Sequence, residues 1–81
     1  HDGAGEIIEA EALETTPVVG RPIRSLDLSP GVRFGIIVRQ GKIMRPTGDT
    51  ELMPRDRVIL HAPAAHIRQV EQLFRVSPDY L

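Results

Sequence analysis

The chain is 81 residues long, carries no cysteine, has only three aromatic residues and holds a formal net charge of -1. That length allows one small domain with a marginal core. The absence of cysteine excludes disulfides and Cys-ligated metal as supplements and leaves oligomerisation or docking onto a larger chain as the remaining means of support. No stretch approaches the roughly 20 apolar residues that cross a bilayer as a helix, and no charged-then-apolar run suggests a signal peptide.

The charge is unevenly spread. Asp2, Glu6, Glu9, Glu11 and Glu14 occupy the first fourteen residues without a base, whereas residues 21–75 set ten bases, nine of them Arg, against five acids. Guanidinium groups make two-pronged contacts with carboxylate or phosphate, so the body suits an acidic partner, an anionic ligand or inter-subunit ion pairs. The plain alternative is a solvated Arg-rich surface.

Residues 1–5 carry two glycines and read as a loose segment. From Glu6, alternation puts Ile8, Ala10 and Ala12 on one side and Glu9 and Glu11 on the other, a half-exposed strand, although so many Ala and Glu also suit a helix. Pro17 biases Thr16 to extended geometry and ends the element. Val19 to Leu26 reads as a short helix with Pro22 in its first turn and Ile23 and Leu26 sharing a face. Ser29-Pro30-Gly31 is a turn signal.

The next strand places Val32, Phe34, Ile36 and Val38 on an apolar core face and Arg33, Gly35, Ile37 and Arg39 on the other. Gln40-Gly41 fits a two-residue hairpin loop with Gly41 at positive φ. Lys42 to Pro46 returns as the partner strand, with Pro46 limiting its pairing. After a Pro54-Arg55-Asp56 turn, Arg57 to Ala62 forms a strand with Val58, Leu60 and Ala62 inward. Pro63 opens a last helix, where Ile67, Val70 and Phe74, with Leu73 beside them, make the buried stripe and His66, Arg68, Gln69, Glu71 and Gln72 face outward. Residues 76–81 read as a tail. The expected fold is α+β: a small, mostly antiparallel sheet with a short helix after the first strand and a C-terminal amphipathic helix.

Catalytic and metal chemistry find no residue set. His61 and His66 lack the converging third and fourth ligands that zinc needs. Asp49 and Asp56 sit beside turn residues, where Asp bonds nearby backbone, and do not read as a general acid–base pair. Ser25, Ser29 and Ser77 have no base beside them. No enzyme is expected. Few aromatics and no continuous basic run argue against nucleic acid.

The order of elements resembles the C-terminal domain of RCK proteins, also called the TrkA-C domain, found in regulators of potassium channels and transporters. The resemblance covers residues 6–75. It rests on Val19-Gly20-Arg21-Pro22-Ile23 with Leu26, on Ile36 through Lys42, on Pro46 through Gly48-Asp49-Thr50 and Leu52, on Asp56, and on the closing Leu73-Phe74. The ending from Val70 to Ser77 resembles proteobacterial members, the peripheral regulators of the Trk potassium uptake system. The resemblance implies a homodimer, a cytoplasmic place peripheral to the inner face of the membrane, and a transporter membrane subunit as partner through a parent protein. It assigns NAD to a Rossmann domain missing from this stretch, which has no Gly-x-Gly-x-x-Gly and no room for that fold, so no cofactor is expected here. Some members bind cyclic di-AMP at a dimer interface. That implies a small anionic nucleotide as a candidate ligand, with Arg39 and Arg33 as candidate anion or subunit contacts; the proteobacterial-type ending weighs against it. The alternative is a ligand-free structural dimerisation module.

Overall fold

The structure is a computed structural model that describes residues 5–76. The expected looseness of residues 1–5 and the tail at 76–81 therefore fall mostly outside the described residues. Five strands form one sheet: β1 (Glu6–Glu11), β2 (Arg33–Arg39), β3 (Lys42–Met44), β4 (Arg57–Ala62) and β5 (Arg75–Val76). Their order across the sheet is β3-β2-β4-β1-β5, and every strand pair is antiparallel. One α-helix, α1 (Ile67–Leu73), follows β4 through a single 3-10 turn at Ala64–His66. The α+β class and the C-terminal helix are as the sequence implied.

The alternation in β1 and β4 decides which side of the sheet is core. Ile8 pairs with Leu60 and Ala10 with Val58, and all four are buried. Val70 of α1 and Phe74 just beyond it complete that core, together with Val18, Leu26 and Leu52 from the connections. The Phe34 and Phe74 rings meet at 5.8 Å with a 57° tilt, so β2 and the end of α1 share one cluster, in the offset geometry that aromatic quadrupoles favour.

β2 departs from the expected faces. The pairing with β4 slips between Phe34 and Ile36, a β-bulge at Gly35. Two residues there oppose one, so the alternation reverses beyond it. Phe34 and Ile37, not Phe34 and Ile36, turn to the core, and Ile37 is fully buried. Ile36 and Val38 are carried to the opposite face. A side chain at Gly35 would sit 3.2 Å from the Ile59 carbonyl oxygen, so the bulge uses a residue without Cβ where two backbones close up. Arg39 consequently lies on the same side as Ile37.

The expected helix from Val19 to Leu26 shrinks to one 3-10 turn at Ile23–Ser25, with Pro22 before it in extended geometry. Val19 and Pro22 instead form bridges with Leu52 and Glu51. Backbone N–H groups of Gly20, Ile23 and Arg24 donate to the carbonyls of Leu52, Thr50 and Gly48 at 2.8, 2.9 and 2.9 Å. A helix there would have forfeited those bonds, and its few residues could not nucleate one unaided. At the C-terminal end β5 joins the sheet, with Val76 opposite Ala10. Gln69 does not simply face outward; its side-chain oxygen accepts from the Ser29 N–H at 2.9 Å.

Candidate functional site

The hairpin between β2 and β3 turns at Gln40 and Gly41, whose φ values of 52° and 78° make the left-handed two-residue loop that strand twist favours. It sets Arg39 opposite Lys42. On the facing segment, Met53 to Asp56 make a tight turn closed by the Asp56 N–H donating to the Met53 carbonyl at 3.1 Å. Pro54 suits the second position, but Arg55 holds the third at φ 73°, where glycine is usual. That turn is tied to the end of β1: the Arg55 N–H donates to the Ala12 carbonyl at 2.5 Å and the Ala12 N–H to the Asp56 carbonyl at 2.9 Å.

Between these two turns lies the strongest polar arrangement among the described residues. Asp56 is only 1% exposed and is the one buried charged side chain among the described residues. Its Oδ1 accepts from Arg39 Nε at 2.9 Å and its Oδ2 from Arg39 Nη2 at 2.7 Å, a two-pronged pair. Oδ2 also accepts from the Met53 N–H at 2.9 Å. Arg39 Nη2 donates further to the Glu51 carbonyl at 3.0 Å. Two parallel charge-assisted bonds in a poorly solvated place are geometrically specific. The hydrogen bond to Asp56 raises the Arg39 pKa above its ordinary value against the opposing cost of burial, so the guanidinium stays charged at any working pH. Arg39, Gln40, Met53, Pro54, Arg55 and Asp56 line a surface pocket of about 280 Å³.

The sequence-derived contacts thus separate. Alternation along the strand predicts Arg39 off the apolar face. The bulge at Gly35 puts it instead on the core side, spent on Asp56 and Glu51. Arg33 is exposed at the start of β2, opposite His61, and has no ion pair with a described residue. Asp49 does not bond its own turn through its carboxylate; it pairs with Arg24, and the loop is closed by the Thr50 hydroxyl accepting from the Thr47 N–H at 2.9 Å. Asp49 and Asp56 therefore serve different cations and share no cleft. No group of three or more His, Asp or Glu converges on a metal site among the described residues. The Arg39–Asp56 pair is hidden in the sequence, because a glycine in mid-strand fits a position on a face and the bulge it makes exists only against β4.

Comparison with known proteins adds a second line. The family model for the TrkA-C domain matches residues 7–75. The chain is 61% identical over 79 residues to the Trk system potassium uptake protein TrkA of Azorhizobium caulinodans, which covers 98% of this chain and 17% of that protein. It is 38% identical over 79 residues to the protein of the same name from Halomonas elongata, covering 93% of this chain and again 17% of the relative. The chain thus spans about a sixth of the length of these relatives. The solved structure of an RCK domain with cda superposes with a TM-score of 0.74 at 22% identity, over 85% of this chain and 97% of the other. That likeness shows the fold.

Proposed function

The chain belongs to the TrkA-C domain family, and on that premise we propose that it is the regulatory C-terminal domain of a Trk-type potassium uptake protein. The observation that carries this reading is the 61% identity to a Trk system protein over 98% of the chain. No helix among the described residues is long and apolar enough to cross a membrane. On this reading the domain works in the cytoplasm and reaches the inner face of the membrane only through the transporter's membrane subunit. NAD belongs to another part of the parent protein. The role is regulatory and not enzymatic.

The domain acts by assembly. Two copies pair, and the pairing conveys the state of the parent protein to its partner. Of the two candidate arginines, Arg33, exposed and without an ion-pair partner among the described residues, is the one available for an anion or subunit contact. Arg39 contributes indirectly, by fixing the hairpin against the Met53–Asp56 turn. A small anionic ligand of nucleotide class would meet Arg55 at the rim of the pocket. The commitment of Arg39 to Asp56 favours the second reading, an assembly module without a ligand. A thermal-shift screen against nucleotides, cyclic dinucleotides and simple anions separates the two, since a ligand of the folded state raises the apparent melting temperature with its concentration. The main test is potassium uptake in cells whose parent protein lacks this domain or carries Arg33→Ala. Impaired or unregulated uptake is expected on deletion; unchanged uptake and regulation would remove the proposal's basis.

A further inference from the structure

Two strained residues meet at one pocket. Among the described residues, the non-glycine positions with positive φ are Asp27, Gln40 and Arg55. Asp tolerates that conformation because its short polar side chain bonds locally, a relief that Gln and Arg lack. Gln40, with φ 52°, and Arg55, with φ 73°, both line the pocket of about 280 Å³ between the hairpin and the Met53–Asp56 turn. Asn or Gly would suit the first position and Gly the second. Backbone strain that gathers at a pocket is a mark of ligand clamps, where the strained residue is kept for what its side chain touches.

The lining decides what fits. Its charged side chains are Arg39, Arg55 and Asp56. Arg39 and Asp56 neutralise each other. Arg55 is exposed and makes no ion pair with a described residue. The lining therefore holds one uncommitted positive charge. Just outside it, Lys42 stands opposite Arg39 on the hairpin, and Glu51 gives its carbonyl to Arg39; both are exposed, and their charges offset one another. One guanidinium matches one carboxylate through two parallel N–H donors. The Gln40 amide offers a donor and an acceptor to a peptide group beside that carboxylate. Met53, 48% exposed, and Pro54 supply apolar wall. A nucleotide is poorly served, since no aromatic ring lines the pocket to stack a base. The Asp56 carboxylate also repels a doubly charged phosphate, and the volume falls below the roughly 300–1,000 Å³ of pockets that enclose larger ligands. We infer that the pocket receives a glutamate or aspartate side chain from an extended acidic segment of another protein. Arg55 is the anion contact, Gln40 holds the adjacent peptide group, and Met53 and Pro54 cover a neighbouring apolar residue. This rests on the assembly reading above and names one contact between the domain and a partner. A single exposed pair of this kind is weak, so the contact forms where a parent protein already holds the partner at high local concentration.

The test is a nuclear magnetic resonance titration of the isotope-labelled 81-residue chain with a short, end-blocked peptide that carries one glutamate between two leucines. The wild-type chain is expected to bind it with a dissociation constant on the order of 1 mM, with amide shifts confined to Arg39 to Lys42 and Met53 to Asp56. Glutamine in place of the peptide's glutamate should weaken binding by roughly tenfold, and adenosine monophosphate and inorganic phosphate should bind more weakly than the acidic peptide. Arg55→Ala should lose the peptide with no gain in stability, because the left-handed backbone still carries a side chain. Arg55→Gly should lose the peptide and raise the urea midpoint, because the strain leaves with the side chain. Arg68→Ala, at an exposed site on α1, should bind as the wild type does. The inference is overturned by a peptide that causes no shifts, by a glutamine peptide that binds as well, or by tighter binding of adenosine monophosphate or phosphate. Wild-type affinity in both Arg55 variants also overturns it. So does an Arg55→Gly midpoint no higher than that of the wild type, since no strain is then being kept. None of these readouts depends on potassium uptake, so the pocket assignment can fail while the uptake reading stands, and the reverse.

Discussion

Arg39 holds a carboxylate that water does not reach. Removing the guanidinium leaves the Asp56 charge buried and unpaired, which costs more than the pair itself contributes. Because Arg39 is 29% exposed, the penalty falls below that of a fully buried pair. Arg39→Ala is expected to lower stability by about 2–3 kcal/mol. For a domain of this size that corresponds to a fall in melting temperature of roughly 10–20 °C, read by thermal denaturation. The double replacement Arg39→Met with Asp56→Leu should be less harmful than Arg39→Ala alone, since two apolar side chains leave no charge stranded. A double variant as unstable as the single one would mean that the Met53 N–H, orphaned by loss of Asp56, dominates instead. The exposed pairs Arg24–Asp49 and Arg57–Glu9 lack this leverage, since solvent screens them.

At the scale of elements, two turns contain residues that fit them poorly. Gln40 adopts a left-handed conformation, which disfavours most side chains and suits Asn or Gly. Gln40→Asn is expected to stabilise the hairpin by about 0.5–1 kcal/mol, visible as a higher urea midpoint with an unchanged slope. Gly41→Ala should act in the opposite direction, because Gly41 also has positive φ. β1 offers a sharper contrast between adjacent residues of one type. Ile8 is fully buried and Ile7 is 73% exposed. Ile8→Ala should cost about 2–5 kcal/mol, whereas Ile7→Ser should change the monomer's stability by less than about 0.5 kcal/mol. Equal effects in chemical denaturation would show that the outer face is covered within the monomer. Gly35→Val tests the bulge: a side chain 3.2 Å from the Ile59 carbonyl must push β2 from β4, and roughly 1–3 kcal/mol should be lost.

At the scale of the molecule, stability is a small sum, roughly 4–12 kcal/mol for a domain of this length. A single core truncation such as Ile8→Ala consumes much of that, so core variants should unfold near physiological temperature while variants of the open face do not. Much of this organisation was legible in the residues alone. The alternation in β1 and β4, the Gln-Gly hairpin and the helical stripe of Ile67, Val70 and Phe74 are local patterns, set by periods of two and 3.6 that need no knowledge of neighbours. They suffice for the fold class, the core of those elements and the family resemblance. What needed the tertiary structure depends on residues far apart in sequence. The non-helical path from Val19 to Pro22 follows from bridges to Leu52 and Glu51 and from carbonyls at 48, 50 and 52 that accept the N–H groups of Arg24, Ile23 and Gly20, and a bulge exists only relative to a partner strand. That one-residue slip at Gly35 exchanges the two faces of β2 beyond it. It sends Ile36 and Val38 to the open face and brings Arg39 to Asp56, because side chains alternate across a strand and every residue past the slip changes sides.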